Sequence, residues 1–150
     1  MEFETLTFER DGGVAIVSLN RPDAANSLNV QMAEDLLKVA THCDSNSDIR
    51  CVVFTAKGKM FSAGGDLHTF AAQGEGMAEY MRYATTGMHA AISRFSRMNA
   101  PYIVAVNGVA AGAGFSMAIS GDMVFAAQSA KLTMAYTRAG VSPDGSSTYF

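Results

Sequence analysis

Two stretches of small residues stand out for what their backbones could do. They are Phe61-Ser62-Ala63-Gly64-Gly65-Asp66-Leu67 and Asn107-Gly108-Val109-Ala110-Ala111-Gly112-Ala113-Gly114-Phe115-Ser116-Met117-Ala118. Each follows a buried-type apolar run and each opens a helical stretch. Small residues let a ligand approach the backbone closely. The first N–H groups of a helix have no partner inside it, so they are free to donate to an oxygen that gains negative charge. The plainer reading is close strand-to-helix packing, with Asp66 as a simple cap. Two such turns in one chain favour the chemical reading.

Other chemistries for the second turn were weighed against its residues. A dinucleotide fingerprint requires a third glycine, and Met117 stands at that offset after Gly112 and Gly114. A phosphate-binding P-loop requires Gly-Lys-Ser/Thr, which is missing. Gly114-Phe115-Ser116-Met117-Ala118 approximates a nucleophile elbow, but that fold places its histidine after the serine. His42, His68 and His89 all precede Ser116. Cys43 and Cys51 have neither the spacing nor the neighbours of a metal site, and they read as small buried hydrophobes.

The elements that position these turns are legible as a repeating order. Phe3, Leu6 and Phe8 alternate with polar residues as a half-buried strand does. Asp11-Gly12-Gly13 is a turn, and Val14 to Leu19 is the second arm of a hairpin. Leu28 to Cys43 carries apolar residues at helical spacing, with Asn29 as its N-cap. Ile49 to Ala56 and Tyr102 to Val106 are buried strands. Lys57 to Gly65 reads as a loop, Asp66 as the start of a short helix, and Met77 to Met98 as a long one. Phe115 to Ser120 is helical and Met123 to Ala127 is a strand. Asp144-Gly145-Ser146-Ser147 is a turn or a helix start. The class is α/β, with residues 1–150 as one domain.

Composition narrows the partners. The chain of 150 residues is 49% hydrophobic and 17% charged, a globular composition. Eleven basic and fourteen acidic residues give a net charge of −3, which offers nothing to a nucleic-acid backbone. No run of about 18 apolar residues spans a membrane, and the charged, alternating N-terminus is no signal peptide. The expected location is cytoplasmic.

Together the two turns resemble the enoyl-CoA hydratase/isomerase (crotonase) superfamily. Ser18-Leu19-Asn20-Arg21-Pro22, Ala25-Asn26-Ser27-Leu28 and Gly140-Val141-Ser142-Pro143-Asp144-Gly145 fit the same family, in order and across essentially the whole chain. The resemblance implies a spiral of repeated ββα units. Members are usually longer, with a helical C-terminal part, so these residues are expected to be the N-terminal part of a family-type chain. The resemblance also implies an acyl-CoA thioester as substrate, coenzyme A entering with it and no separate cofactor or metal. It implies a homotrimer or hexamer.

By the same resemblance, the N–H groups of Gly65 and Ala113 form an oxyanion hole, with Ala113 where the family usually has Gly. Ala25, Ala63, Asp66 and Leu67 match positions along the coenzyme A path. Arg21, Lys57 and Lys59 are either contacts for its phosphates or solvated surface charges. The two glutamates of the hydratases fall on Ser116 and Tyr136, which become possible acyl-pocket residues, together with Met60, Phe70 and Met81. Asp144 matches the catalytic aspartate of some superfamily isomerases and of the chlorobenzoyl-CoA dehalogenase type. The expected activity is therefore double-bond isomerisation with Asp144 as acid/base. A hydratase-like reaction and a non-catalytic acyl-CoA binding protein are the alternatives.

Overall fold

The computed structural model describes residues 1–150. Strands β1 (Leu6–Asp11) and β2 (Val14–Leu19) form an antiparallel hairpin in register Leu6 to Leu19. Gly12 turns it at φ +55, a conformation that favours glycine. The first strand begins later than alternation alone suggests. The N–H groups of Glu4 and Thr5 and the Thr5 hydroxyl instead donate to the Asp35 carboxylate, at 3.1, 2.9 and 2.7 Å. These groups are thereby taken away from the ladder.

Three further strands extend this sheet in parallel: β3 (Cys51–Ala56), β5 (Tyr102–Val106) and β7 (Met123–Ala126). The order is β1-β2-β3-β5-β7. A second, smaller parallel sheet joins β4 (Met60–Ser62), β6 (Val109–Ala111) and β8 (Leu132–Thr133). After the hairpin, each turn of the chain thus lays one strand in the large sheet and the next in the small one. This is the expected ββα spiral. β4 lies where a loop is expected and β6 where a turn is expected, and β8 is a further short strand. Strands of two or three residues are too short to show a period.

Helices α1 (Val30–Ser45) and α3 (Met77–Phe95) cover the large sheet. The Asn29 side chain accepts the Met32 N–H at 2.9 Å, the expected cap on α1. Short helices α2 (Leu67–Ala71) and α4 (Ala113–Ile119) follow β4 and β6. Between sheet and helices lies an aromatic core. Phe54 meets Phe61 edge-on at 5.7 Å, and Phe95 stacks on Tyr102 at 4.8 Å. Phe61, the first residue of the first small-residue turn, is fully buried there and anchors that turn to the core.

Candidate active site

The two small-residue turns lie against each other at the ends of β4 and β6. Gly64 adopts φ +97, and a Cβ there would stand 2.6 Å from the Ala111 carbonyl oxygen and 3.3 Å from the Ala113 nitrogen. A Cβ on Gly114 would stand 2.5 Å from the Ser62 carbonyl oxygen. These two glycines let one turn seat on the other. The packing reading of the small residues thus holds at Gly64 and Gly114.

A third segment stitches the first turn in place. The Ala63 N–H donates to Ala25 at 2.9 Å, the Leu28 N–H to Gly64 at 2.7 Å, and the Asp66 N–H to Leu28 at 2.8 Å. Ser62 Oγ donates to the Asn26 carbonyl at 2.8 Å. Asn26 is fully buried, and its side-chain amide donates to Lys57 and Met60 carbonyls, each at 2.9 Å. After this accounting the N–H groups of Gly65 and Ala113 remain without a hydrogen-bond acceptor. Ala113 is the first residue of α4, where no intrahelical acceptor exists.

Both residues line one cavity of about 340 Å³. Its wall is mostly apolar, with Leu28, Leu67, Phe70, Met77, Met81 and Val141 contributing. Asp144 also lines it and is the only carboxylate among the lining residues, which include no lysine or arginine. Residues from five separate stretches of chain thus converge on one space.

The Asp144 carboxylate is held on both oxygens. The Tyr136 hydroxyl donates to Oδ1 at 2.6 Å, and His89 Nε2 lies 3.1 Å from Oδ2. Tyr136 in turn meets Ser116 Oγ at 2.5 Å, and Ser116 donates to the Asp144 main-chain carbonyl at 3.0 Å. Burial pushes the Asp144 carboxyl up, but hydrogen bonds from His89 and Tyr136 and the His89 charge bring it below the ordinary carboxylate value. Burial and the neighbouring Asp144 carboxylate push the Tyr136 phenol well above its ordinary value, so it stays a donor.

The remaining predicted residues separate. Ala63 and Leu67 line the cavity; Ala25 and Asp66 do not. Asp66 caps α2 by accepting the Thr69 N–H at 3.1 Å and pairs with Arg21 at 3.1 Å. Arg21 also donates to the Ser27 carbonyl, and Lys57 pairs with Glu9 at 3.4 Å. Phe70, Met81 and Tyr136 line the cavity, while Met60 in β4 does not. Ser116 stands behind the wall, fully buried inside α4 and bonded to Tyr136. That placement removes the nucleophile-elbow reading, which requires an exposed serine on a sharp turn. His89, on α3, was missed. It sits 55 residues from Asp144 in sequence, and no local spacing links the two.

Residues 9–150 match the Enoyl-CoA hydratase/isomerase family. The chain belongs to this family. It is 37% identical over 150 residues to 1,2-epoxyphenylacetyl-CoA isomerase of Escherichia coli, a match covering 99% of this chain and 56% of that protein. The crystal structure of an enoyl-CoA hydratase from Polaromonas sp. JS666 is similar at a TM-score of 0.86 and 34% identity, covering 94% of this chain and 55% of that one. An enoyl-CoA hydratase from Bacillus halodurans shares the fold at a TM-score of 0.90 and 21% identity, covering 98% and 59%. The chain spans just over half the length of these members of the enoyl-CoA hydratase/isomerase family.

Proposed function

We propose that this chain carries the thioester-activating site of an acyl-CoA isomerase. Its substrate carbonyl rests between the Gly65 and Ala113 N–H groups, and the acyl group lies along the apolar wall. Charge develops on the carbonyl oxygen as an adjacent C–H loses its proton. Donors already in place stabilise that charge without reorganisation, and one such donor is worth about 2.7–4 kcal/mol in the rate. Asp144 takes the proton from one carbon and returns it to another, which moves the double bond.

The observation that carries this reading is the composition of the cavity wall. A single carboxylate, Asp144, shares it with two unpaired N–H groups, and no glutamate pair is present. The family membership supports an acyl-CoA substrate. Coenzyme A belongs to that substrate, so the reading needs no resident cofactor or metal. Ala63 and Leu67, at the mouth beside Gly65, are the proposed contacts for its pantetheine arm. A homotrimer or hexamer belongs to the same proposal.

The test is Asp144→Asn in the full chain, assayed with trans-3-hexenoyl-CoA. Positioned acid–base groups contribute about 10²- to 10⁴-fold, and a loss of that size with acyl-CoA binding retained is expected. Unchanged turnover would remove Asp144 from the reaction. The hydratase-like alternative is favoured by the similarity to the Polaromonas enoyl-CoA hydratase. Loss of enoyl absorbance on incubation with crotonyl-CoA, without isomerisation of the 3-enoyl probe, would select it.

A further inference from the structure

Both oxygens of the Asp144 carboxylate have partners. The Tyr136 hydroxyl donates to Oδ1, and His89 Nε2 lies beside Oδ2.

On the Oδ2 side the imidazole sets a constraint. His89 Nε2 lies 3.1 Å from Oδ2 and also accepts the Gly145 N–H at 3.2 Å. An imidazole nitrogen offers either one hydrogen or one in-plane lone pair. Nε2 therefore either donates to the ionised Oδ2 or accepts the Gly145 N–H, and in the accepting tautomer the ring hydrogen is on Nδ1. A proton arriving on Oδ2 then faces a base. Beyond it the His89 side chain is 44% exposed, whereas that of Asp144 is 26% exposed. His89 does not line the cavity. It is therefore the more exposed of the two partners and lies outside the cavity wall.

We propose that His89 is a positioning residue that gives Asp144 a proton route to solvent. This rests on the reading of Asp144 as the acid/base. In the step, the substrate C–H bond breaks and an Oδ2–H bond forms. The proton then passes from Oδ2 to the Nε2 lone pair, giving an imidazolium beside a carboxylate. Nδ1 releases its hydrogen to water, and the reverse sequence restores the starting state. The titratable groups within hydrogen-bonding distance of Asp144 are His89 from α3 and Tyr136. No other charged side chain lines the cavity.

The experiment is turnover of trans-3-hexenoyl-CoA by the full chain in D₂O, with deuterium in substrate and product read by mass spectrometry. Native protein is expected to incorporate solvent deuterium. His89→Gln keeps an amide donor for Oδ2 but carries no exchangeable ring proton. It is expected to lower incorporation per turnover by about 10²-fold, the scale of a positioned proton carrier, with the probe's KM little changed. His89→Ala, which removes the donor, should move the acidic limb of the kcat profile to higher pH. Deuterium uptake by His89→Gln at the native rate overturns the route. Turnover by the native protein without any deuterium uptake also overturns it, while leaving the isomerase reading intact. Uptake without turnover supports the route and overturns isomerisation. Neither uptake nor turnover overturns both.

Discussion

Ala113 and Tyr136 allow the residue-level chemistry to be tested without touching Asp144. Ala113 is the first residue of α4, and its N–H has no intrahelical acceptor. Proline is tolerated at that helix position because the missing N–H is an orphan there anyway. Ala113→Pro is therefore expected to leave the fold in place while deleting one of the two proposed donors. A fall in kcat of about 10²–10³, the scale seen when one such donor is removed, is the expected outcome. Circular dichroism alongside the kinetics separates this from unfolding. Tyr136 acts from the other side. Its hydroxyl lowers the Asp144 carboxyl, and Tyr136→Phe removes that donor. A depressed carboxyl stays ionised to lower pH, so its loss of a donor shifts protonation upward. The acidic limb of kcat/KM in Tyr136→Phe should lie at higher pH than in the native protein.

At the element scale the first small-residue turn depends on Asp66 as much as on its glycines. Asp66 caps α2 and holds Arg21, whose side chain reaches the Ser27 carbonyl in the neighbouring segment. Burial raises the Asp66 carboxyl, but hydrogen bonds from Thr69 and Arg21 and the Arg21 charge leave it below its ordinary value. A carboxyl depressed by folding stabilises the folded state above its unfolded pKa, and that contribution is lost as pH falls through the folded value. Asp66→Ala should destabilise the protein by about 1–2 kcal/mol at neutral pH, the upper range for a lost cap. Denaturation measured on both proteins should show that difference shrinking as the pH is lowered through the carboxylate range.

Across the whole molecule the two edges of the large sheet differ. The hairpin edge carries Glu9, Arg10 and Asp11 on β1, charged and exposed. The opposite edge is β7, where Met123, Val124 and Phe125 are all exposed, with Leu132 and Met134 nearby in sequence and also exposed. An unpaired apolar edge strand is a template for association. Residues 1–150 produced alone should therefore associate with rising concentration, as read by sedimentation velocity. Val124→Lys with Phe125→Glu should reduce that association. No helix is long and apolar enough to cross a membrane.

Much of this arrangement was legible in the residues themselves, for physical reasons that are local. Val14 to Leu19 and Tyr102 to Val106 are strands as read, because continuous apolar runs have few other ways to be buried. Asn29 caps α1 because its side chain needs only the N–H three residues on. The two small-residue turns announced themselves because glycine and alanine runs after buried strands are uncommon without a packing or binding reason. The resemblance singled out Gly65 and Ala113, whose N–H groups are unpaired. That Gly64 and Gly114 serve the contact between the turns was not legible, because only the seating of one turn on the other shows it.

What the sequence determined by itself was the family and the ββα order, which follow from residue types and short spacings. Its resemblance to the family pointed to Asp144, with Ser116 and Tyr136 where two glutamates would stand. What only the tertiary structure decided was which groups share Asp144's surroundings. Tyr136 comes from eight residues away, Ser116 from 28 and His89 from 55. Contacts at such separations are set by how α3 and α4 pack beside the last loop, and no periodicity along the chain encodes them. The same packing put Ser116 behind the wall, Tyr136 at it and His89 outside it, and so gave Asp144 the phenol at one oxygen and the imidazole at the other.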